Sequence, residues 1–226
     1  MKTFGKKVNE FVQAYTIVII LAIMIIFLSF NSDSFLTVGN FLNLFLQANL
    51  YGIMALGVGV LMINGYFDLS VGMIMSLSAN LVIMMSGINI WLGIIISLAS
   101  GVLCGLINSI CVTRLKLNSL VATLVAEVGL HGVIFLITGA DSHIGRSNGF
   151  KIFGSVAIYK ISILTWIWLV LCILIAFMLK YTKHGRDTYA IGGNEATARN
   201  SGIKVESIIM KNYMLCGFLA ALAGLL

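Results

Sequence analysis

Long apolar stretches are the feature that most limits what this chain can fold into. Seven mostly apolar runs follow one another along the sequence, at residues 11–30, 45–63, 71–86, 90–112, 119–138, 163–179 and 207–226. A helix that crosses a bilayer needs about 20 such residues, and only helices and closed barrels satisfy the backbone in lipid. None of the runs alternates like a strand over its length. The sequence therefore predicts an all-α fold, a polytopic transmembrane helix bundle with about seven spans.

The composition agrees with a membrane protein and disfavours a soluble helical one. Charged residues make up only 10% of the chain, against about 25% in soluble domains. The net charge of +6 does not indicate a nucleic acid partner, because the basic residues lie between the apolar runs. The cysteines lack metal-ligand spacing and lie within apolar runs, so we predict no metal site and no disulfides. They are Cys104, Cys111, Cys172 and Cys216.

The distribution of lysine and arginine predicts the orientation, because these residues concentrate on the cytoplasmic side of membrane proteins. With a cytoplasmic N-terminus and alternating sides, eleven of the 14 basic residues fall inside, and only Arg146, Lys151 and Lys160 fall outside. The sequence thus predicts a multi-pass protein with a cytoplasmic N-terminus. We interpret the first run as a retained helix, because it is too long for the core of a signal peptide.

Two connections between the runs are long. Residues 139–162 lie outside in this topology and fit a short hairpin, an interfacial segment or a substrate-side gate. Residues 181–206 lie inside, and connections of that length without structure of their own tend to be functional. The last apolar run reaches the end of the chain without a flanking charge, so we expect the sequence to be incomplete at its C-terminus.

The inner connection carries the signals of a short helix. Gly192 and Gly193 are expected to break the chain, and Asn194 is a good N-cap. Glu195 suits a first helical turn, and Gly202 suits a helix stop. The sequence therefore predicts a short cytosolic helix. Two interpretations remain open: the helix docks into a groove on a partner, or it lies on the lipid headgroups.

A family resemblance favours docking. The stretch GRDTYAIGGNEATARNSGIKV closely resembles the cytoplasmic coupling loop of permease subunits in ribose-type (monosaccharide) ABC importers, a binding-protein-dependent transport family. The stretches GYFDLSVG and VATLVAEVGLHGV resemble two other elements of that family. The coupling residues that the resemblance implies are Gly185, Arg186, Gly192, Gly193, Asn194, Glu195, Arg199, Ser201 and Gly202. A bulky residue in place of Gly193 is expected to uncouple ATP hydrolysis from transport.

The resemblance implies a transport subunit and not an enzyme. It implies one permease domain, residues 1–226, with the coupling loop at 181–206, in the plasma membrane of a bacterium. The expected partners are a cytosolic ABC ATPase, an extracytoplasmic sugar-binding protein and a second permease subunit, identical or different. ATP and Mg²⁺ belong to the ATPase, and we predict no cofactor, metal or catalytic residue in this chain, which has no Walker A pattern. The expected cargo is a simple sugar resembling ribose.

Other functions remain open at this stage. Permeases for a nucleoside, a signalling furanose or a branched-chain amino acid look alike at these motifs. Glu127 and His131 are two candidates for the translocation path or its gate. They are four residues apart on one helical face, so a proton-coupled secondary transporter is a further alternative. The ATP-driven family favours a hydrogen-bonded Glu127–His131 pair instead. A truncated remnant without function is the last alternative.

A carboxylate, Asp68, lies between two strongly apolar runs. It is placed to cap the third helix by accepting from the N–H of Ser70 or Val71, and Ser70 is a second candidate for the cap. Alternatively, Asp68 and Ser70 line a polar break in the translocation path or its gate. Asn108, near the inner end of the fourth run, is another candidate for that path. The family usually has glycine in place of Tyr66, so the shape of this segment is open.

The fourth run also carries small residues at four-residue spacing, a pattern that lets another helix approach closely. We predict that this stripe packs against a neighbouring helix. Its members are Gly93, Ser97, Gly101, Gly105 and Ser109.

Overall fold

The computed structural model describes the backbone of residues 2–139, 157–158 and 161–226, and the side chains of residues 15–139 and 162–226. The chain divides into two compact units, Met1–Gln47 and Ala48–Leu226. Seven of its helices correspond to the seven apolar runs, and the other elements lie between them. In chain order, the elements are α1 Lys2–Asn31, α2 Val38–Ile63, α3 Val71–Met85, α4 Ile90–Thr113, α5 Ser119–Thr138, β1 Ala157–Ile158, β2 Ile161–Ser162, α6 Ile163–Tyr181, α7 Lys183–Gly193, α8 Glu195–Asn200 and α9 Val205–Leu225.

The predicted all-helical class is confirmed for the described residues, apart from a two-residue antiparallel hairpin of β1 and β2. This hairpin lies in the connection 139–162, and most of that connection is outside the described residues. Within the described part, five helices are long and apolar enough to cross a membrane: α2, α4, α5, α6 and α9. Tyr15–Asn31 and α3 are shorter apolar helices, so seven spans remains a prediction.

The first unit contains α1 and the start of α2. Both helices begin earlier than their apolar runs, because polar residues extend each helix beyond its hydrophobic part. Asn31 Nδ2 donates to the Phe27 carbonyl oxygen at 2.8 Å at the end of α1. The Asn40 N–H donates to Thr37 Oγ1 at 3.3 Å, which caps α2.

Helix α9 is the centre of the second unit, where it packs against α4 and α3. The contacts are backbone to backbone, because a Cβ added at Gly105 would strike the Tyr213 carbonyl oxygen, and one at Gly101 would strike that of Gly217. Gly224 lies equally close to Met75 of α3. All five members of the predicted small-residue stripe are buried, so the packing prediction is confirmed.

Hydrogen bonds between side chains and backbone join the same three helices in their apolar interior. Ser78 Oγ of α3 donates to the Ala221 carbonyl oxygen of α9 at 2.7 Å. Ser97 Oγ of α4 donates to the Ser78 carbonyl oxygen at 2.9 Å. Each hydroxyl is fully buried, and a buried hydroxyl without a partner would be costly in this setting. The two serines therefore fix the relative register of α3, α4 and α9.

Helices α7 and α8 connect α6 to α9 through two N-caps and one glycine. Thr182 Oγ1 accepts from the Gly185 N–H at 3.1 Å, and Asn194 Oδ1 accepts from the Thr197 N–H at 2.8 Å. Gly202 follows α8 with φ +82°, a left-handed conformation that suits glycine. The predicted cap and stop of the short helix are thus confirmed.

The predicted chain break at Gly192 and Gly193 lies one residue later, because α7 includes both glycines and ends at Gly193. The backbone turns at Asn194, whose φ of −163° and ψ of 110° are extended. A glycine in a helix interior costs about 1 kcal/mol, but these two glycines are the last two residues of α7. We call residues 183–200, which comprise α7 and α8, the coupling segment.

Candidate functional site

The link between α2 and α3 holds the buried carboxylate of Asp68, which is only 2% exposed. Asp68 Oδ1 accepts from the Ser70 N–H at 2.9 Å and from Ser70 Oγ at 2.6 Å. The expected bond to the Ser70 N–H is therefore present. The N-cap position of α3 belongs to Ser70, the second candidate for the cap, and not to Asp68; the Ser70 side chain makes no capping hydrogen bond.

Two other helices hold this link in place. Asn108 Nδ2 of α4 donates to Ser70 Oγ at 2.8 Å and lies 3.2 Å from Asp68 Oδ2. Thr123 Oγ1 of α5 accepts from the Leu69 N–H at 3.1 Å. The structure thus brings together three of the five residues predicted for the path, Asp68, Ser70 and Asn108. We call these three residues and Thr123 the polar latch.

Helix α9 contributes a further contact that sequence reasoning missed. Tyr213 is fully buried, and its hydroxyl donates to the Phe67 carbonyl oxygen at 2.9 Å. The ring of Tyr66 meets the Tyr213 ring edge-on, with centroids 6.5 Å apart. Tyr213 is 146 residues from Phe67 along the chain, and no local pattern signals such a contact. A tyrosine inside an apolar run was the only available hint.

The polar latch stabilises its carboxylate by hydrogen bonds alone among the described residues, where no cation pairs with Asp68. Burial raises the pKa of the Asp68 carboxyl above its ordinary value, and the hydrogen bonds from Ser70 and Asn108 partly oppose that rise. Both carboxylate oxygens are already engaged. The cluster is therefore suited to locking the link against α4, and less suited to binding a solute.

The coupling segment presents its charged side chains on an exposed surface. Arg199 Nη1 donates to Glu206 Oε1 at 2.6 Å, and Nη2 donates to Glu195 Oε1 at 3.1 Å. Both pairs are about half exposed, so they orient α8 more than they stabilise the fold.

Tyr66 ties the coupling segment to the link that carries Asp68. Its hydroxyl donates to Glu195 Oε2 at 3.1 Å. Burial of the ring, followed by the charge of Glu195, raises the pKa of Tyr66 to about 12, so the hydroxyl stays protonated and able to donate near neutral pH. The residue that departs from the family pattern thus provides a direct contact between α8 and the α2–α3 link.

Gly192 and Gly193 have different surroundings. A Cβ added at Gly192 would strike the Ile63 carbonyl oxygen at the end of α2, whereas nothing lies within 4 Å of one added at Gly193. The neighbouring Asn64 is 3% exposed, and neither atom of its amide has a hydrogen-bond partner among the described residues. The place where α7 touches α2 therefore has both a close backbone contact, at Gly192, and a buried amide without a hydrogen-bond partner among the described residues, at Asn64.

The other predicted coupling residues have local roles in the structure. Gly185 packs against the last carbonyl groups of α6, where a Cβ would not fit. Arg186 Nη1 donates to the Tyr181 carbonyl oxygen at 3.4 Å, and Ser201 Oγ donates to that of Thr197 at 3.0 Å. These contacts shape the coupling segment and its ends.

The expected hydrogen bond between Glu127 and His131 is wrong. Glu127 is half-buried on α5, His131 is exposed, and among the described residues neither a hydrogen bond nor an ion pair joins them. Spacing of four residues brings two side chains within reach, but it does not oblige them to bond. Neither residue belongs to the polar latch. The described residues also contain no group of three or more His, Cys, Asp or Glu that could hold a metal ion.

Comparison with known proteins decides the family. Residues 40–226 match the family described as the permease component of the branched-chain amino acid transport system. The chain belongs to this family of transport permeases. With its membrane-length helices, it is a multi-pass membrane protein. The matched range includes both the polar latch and the coupling segment.

Individual relatives are permeases as well. The chain is 33% identical to the ribose import permease protein of Escherichia coli (strain K12), covering 92% of this chain and 67% of that protein. It is 35% identical to the ribose import permease protein of Bacillus subtilis (strain 168), over 97% and 67%. It is 30% identical to the autoinducer 2 import system permease protein of Salmonella typhi, over 93% and 61%. No solved structure is significantly similar to this chain.

Proposed function

We propose that this chain is the membrane-spanning permease subunit of an ATP-driven ABC importer and carries a simple sugar of the ribose type into the cytoplasm. The observation that carries the proposal is the 33–35% identity to two ribose import permease proteins over more than nine-tenths of the chain. The exposed, doubly capped α8 supports it. Residues 1–226 form one permease domain, with about seven spans and a cytoplasmic N-terminus in the bacterial plasma membrane.

The partners in this proposal each meet a different part of the importer. A cytosolic ATPase, which holds ATP and Mg²⁺, docks on α8 through Glu195 and Arg199. An extracytoplasmic binding protein delivers the sugar on the opposite side, and a second permease subunit completes the pathway. The chain itself needs no cofactor, because the work of transport is a change of conformation.

Movement of α8 reaches the membrane through two contacts. Gly192 bears on the end of α2, and Tyr66 joins Glu195 to the α2–α3 link. A shift of the coupling segment would therefore pull on the link at residues 64–70, which the polar latch fastens to α4 and α5. In this mechanism the latch holds one state of the inner gate and releases in the other.

The test begins with the neighbouring genes, where we expect an ATPase and a binding protein. Co-expression of all three in a host without ribose uptake should give ATP-dependent accumulation of labelled ribose. Glu127→Gln should leave that accumulation unchanged, because the proposal gives no role to proton relay. Uptake that persists without the ATPase, and that Glu127→Gln abolishes, would instead establish the proton-coupled alternative.

A second cargo has specific support. The similarity to the autoinducer 2 import system permease protein favours a signalling furanose as an alternative to ribose. Competition decides between them: excess autoinducer 2 should leave ribose uptake unaffected if ribose is the cargo. If autoinducer 2 is accumulated and ribose is not, the chain is still a sugar permease, but its cargo is autoinducer 2 and not ribose.

A further inference from the structure

Two clefts lie between the coupling segment and other parts of the fold, and their charges differ. The first, which we call the paired cleft, has a volume of about 600 Å³ and contains Arg199 between Glu195 and Glu206. The second, which we call the basic cleft, has a volume of about 660 Å³ and is lined by Lys183, Lys204 and Lys211, among others. In the paired cleft, Arg199 forms ion pairs with two carboxylates that line the same cleft.

The basic cleft keeps its positive charge uncompensated. Its three lysines are exposed, and none of their ammonium groups forms an ion pair or hydrogen bond with a described residue. Asp187 is the one carboxylate in the lining. His184 also lines the cleft, with its Nε2 engaged by Asn212 Oδ1 at 2.7 Å. Three lysines against one carboxylate in the lining leave a local excess of positive charge that attracts an anion.

The position of the cleft indicates which anion. Lys183 follows α6 by two residues, and Lys211 lies within α9, and both helices are long and apolar enough to cross a membrane. Tyr181, at the end of α6, is 60% exposed. Lys180 Nζ lies over its ring, 5.3 Å from the ring centroid. Tyrosine and lysine are typical of the headgroup level at the ends of membrane helices. The cleft therefore opens at the depth where lipid phosphates lie.

We propose that the basic cleft binds the phosphate of an anionic phospholipid headgroup in the leaflet adjoining the coupling segment. Basic pockets between membrane helices are known sites for anionic headgroups, and lysine binds phosphate as a point charge. A bound headgroup would bridge α7 and the first turns of α9, fixing the height of the coupling segment at the membrane. That this leaflet is the cytoplasmic one rests on the proposed function, but the binding itself does not.

The test counts retained lipids by native mass spectrometry. The full chain is reconstituted in nanodiscs of phosphatidylcholine with phosphatidylglycerol and then released into detergent. We expect the variant Lys183→Gln/Lys204→Gln/Lys211→Gln to retain phosphatidylglycerol at least roughly tenfold more weakly than the unchanged chain. Retention by the unchanged chain should fall as salt rises, because salt screens exposed charges.

A matched control removes three other charges near the ends of membrane helices, in Arg114→Gln/Lys116→Gln/Lys180→Gln. This control should retain phosphatidylglycerol like the unchanged chain, and equal losses in both triple variants would overturn a specific site. Melting curves in pure phosphatidylcholine show whether each variant is folded, and all three proteins should melt alike.

Two further outcomes would also overturn the proposal. Millimolar inorganic phosphate alone could raise the melting temperature of the unchanged chain and displace phosphatidylglycerol from it. The ligand would then be a soluble phosphate and not a lipid. If the lysine variant keeps its lipid but no longer binds the ATPase subunit, the cleft serves an acidic segment of that protein. Since retention is measured without transport, failure of the proposed importer function would leave this result intact.

Discussion

The contact between α4 and α9 and the coupling segment are both shaped by glycine, but they are held in opposite ways. At the first, Gly101, Gly105 and Gly217 bring two backbones together along a buried surface. At the second, Gly185 and Gly192 are each tight at one point, while half-exposed ion pairs and caps hold α8. Close-packed interiors resist deformation, whereas exposed pairs contribute little. The comparison indicates a rigid framework with a movable segment attached.

The largest expected effect comes from disrupting the rigid contact between α4 and α9. Gly105→Ala places a methyl group against the Tyr213 backbone and should lower the free energy of unfolding by about 1–3 kcal/mol, as overpacking does. The matched control is Gly132→Ala on α5, where a Cβ meets nothing within 4 Å. Alanine is the better helix former, so the control should be as stable as the unchanged chain or more so. Denaturation in detergent measures both, and equal losses would contradict the tight α4–α9 contact.

The second prediction concerns Gly192, where the coupling segment touches α2. Gly192→Ala should lower ATP-driven uptake about tenfold, because a methyl group there pushes α7 away from Ile63 at a cost of about 1–3 kcal/mol. Gly193→Ala should leave uptake nearly unchanged, since its Cβ points into open space. Reconstituted uptake and ATPase rates measure the pair. The sequence alone placed the sensitive position at Gly193, and a larger loss there would restore that expectation.

The third prediction tests the junction between the two regions. Asp68→Asn places an amide donor opposite Asn108 Nδ2, which now lies 3.2 Å from a carboxylate oxygen, and should cost about 1–3 kcal/mol of stability. The exchange Asp68→Asn/Asn108→Asp restores one donor facing one acceptor. We expect the exchange to recover at least half of the lost stability in thermal melts. An exchange as unstable as the sum of its single variants would show that the two side chains do not interact.

The smallest expected effect concerns the exposed hydrogen bond between Tyr66 and Glu195. Tyr66→Phe removes the hydrogen bond to Glu195 and keeps the ring against Tyr213. Because that bond is exposed, the loss of stability should stay below about 1 kcal/mol. Transport should fall more than stability does, since the hydroxyl joins α8 to the α2–α3 link. Parallel melting and uptake assays separate the two, and unchanged uptake would remove Tyr66 from the coupling route.

Much of the fold was predictable because its signals are local. An apolar run of membrane length predicts a helix wherever it lies in the chain, and α4, α5 and α6 begin at the predicted residues. The cap by Asn194 and the left-handed Gly202 depend on contacts within a few residues. The small-residue stripe on α4 also depended on spacing alone.

The candidate site was only partly predictable. Asp68 attracted attention as a carboxylate in an apolar setting, and its bond to Ser70 is local. Its bond to Asn108 spans 40 residues, and Tyr213 and Thr123 reach the link from more distant helices. Spacing on one helix also suggested the Glu127–His131 bond, which the described structure does not form.

The sequence by itself determined the helices, their caps and the small residues that permit close approach, because each depends on neighbours along the chain. The tertiary structure alone decided that Gly192 and not Gly193 is tight, since the Ile63 carbonyl comes from another helix. It also decided that Asn108 meets Asp68 and that three lysines share one cleft. Such contacts arise only when packing fixes the relative register of separate helices, and no pattern within one helix records that register.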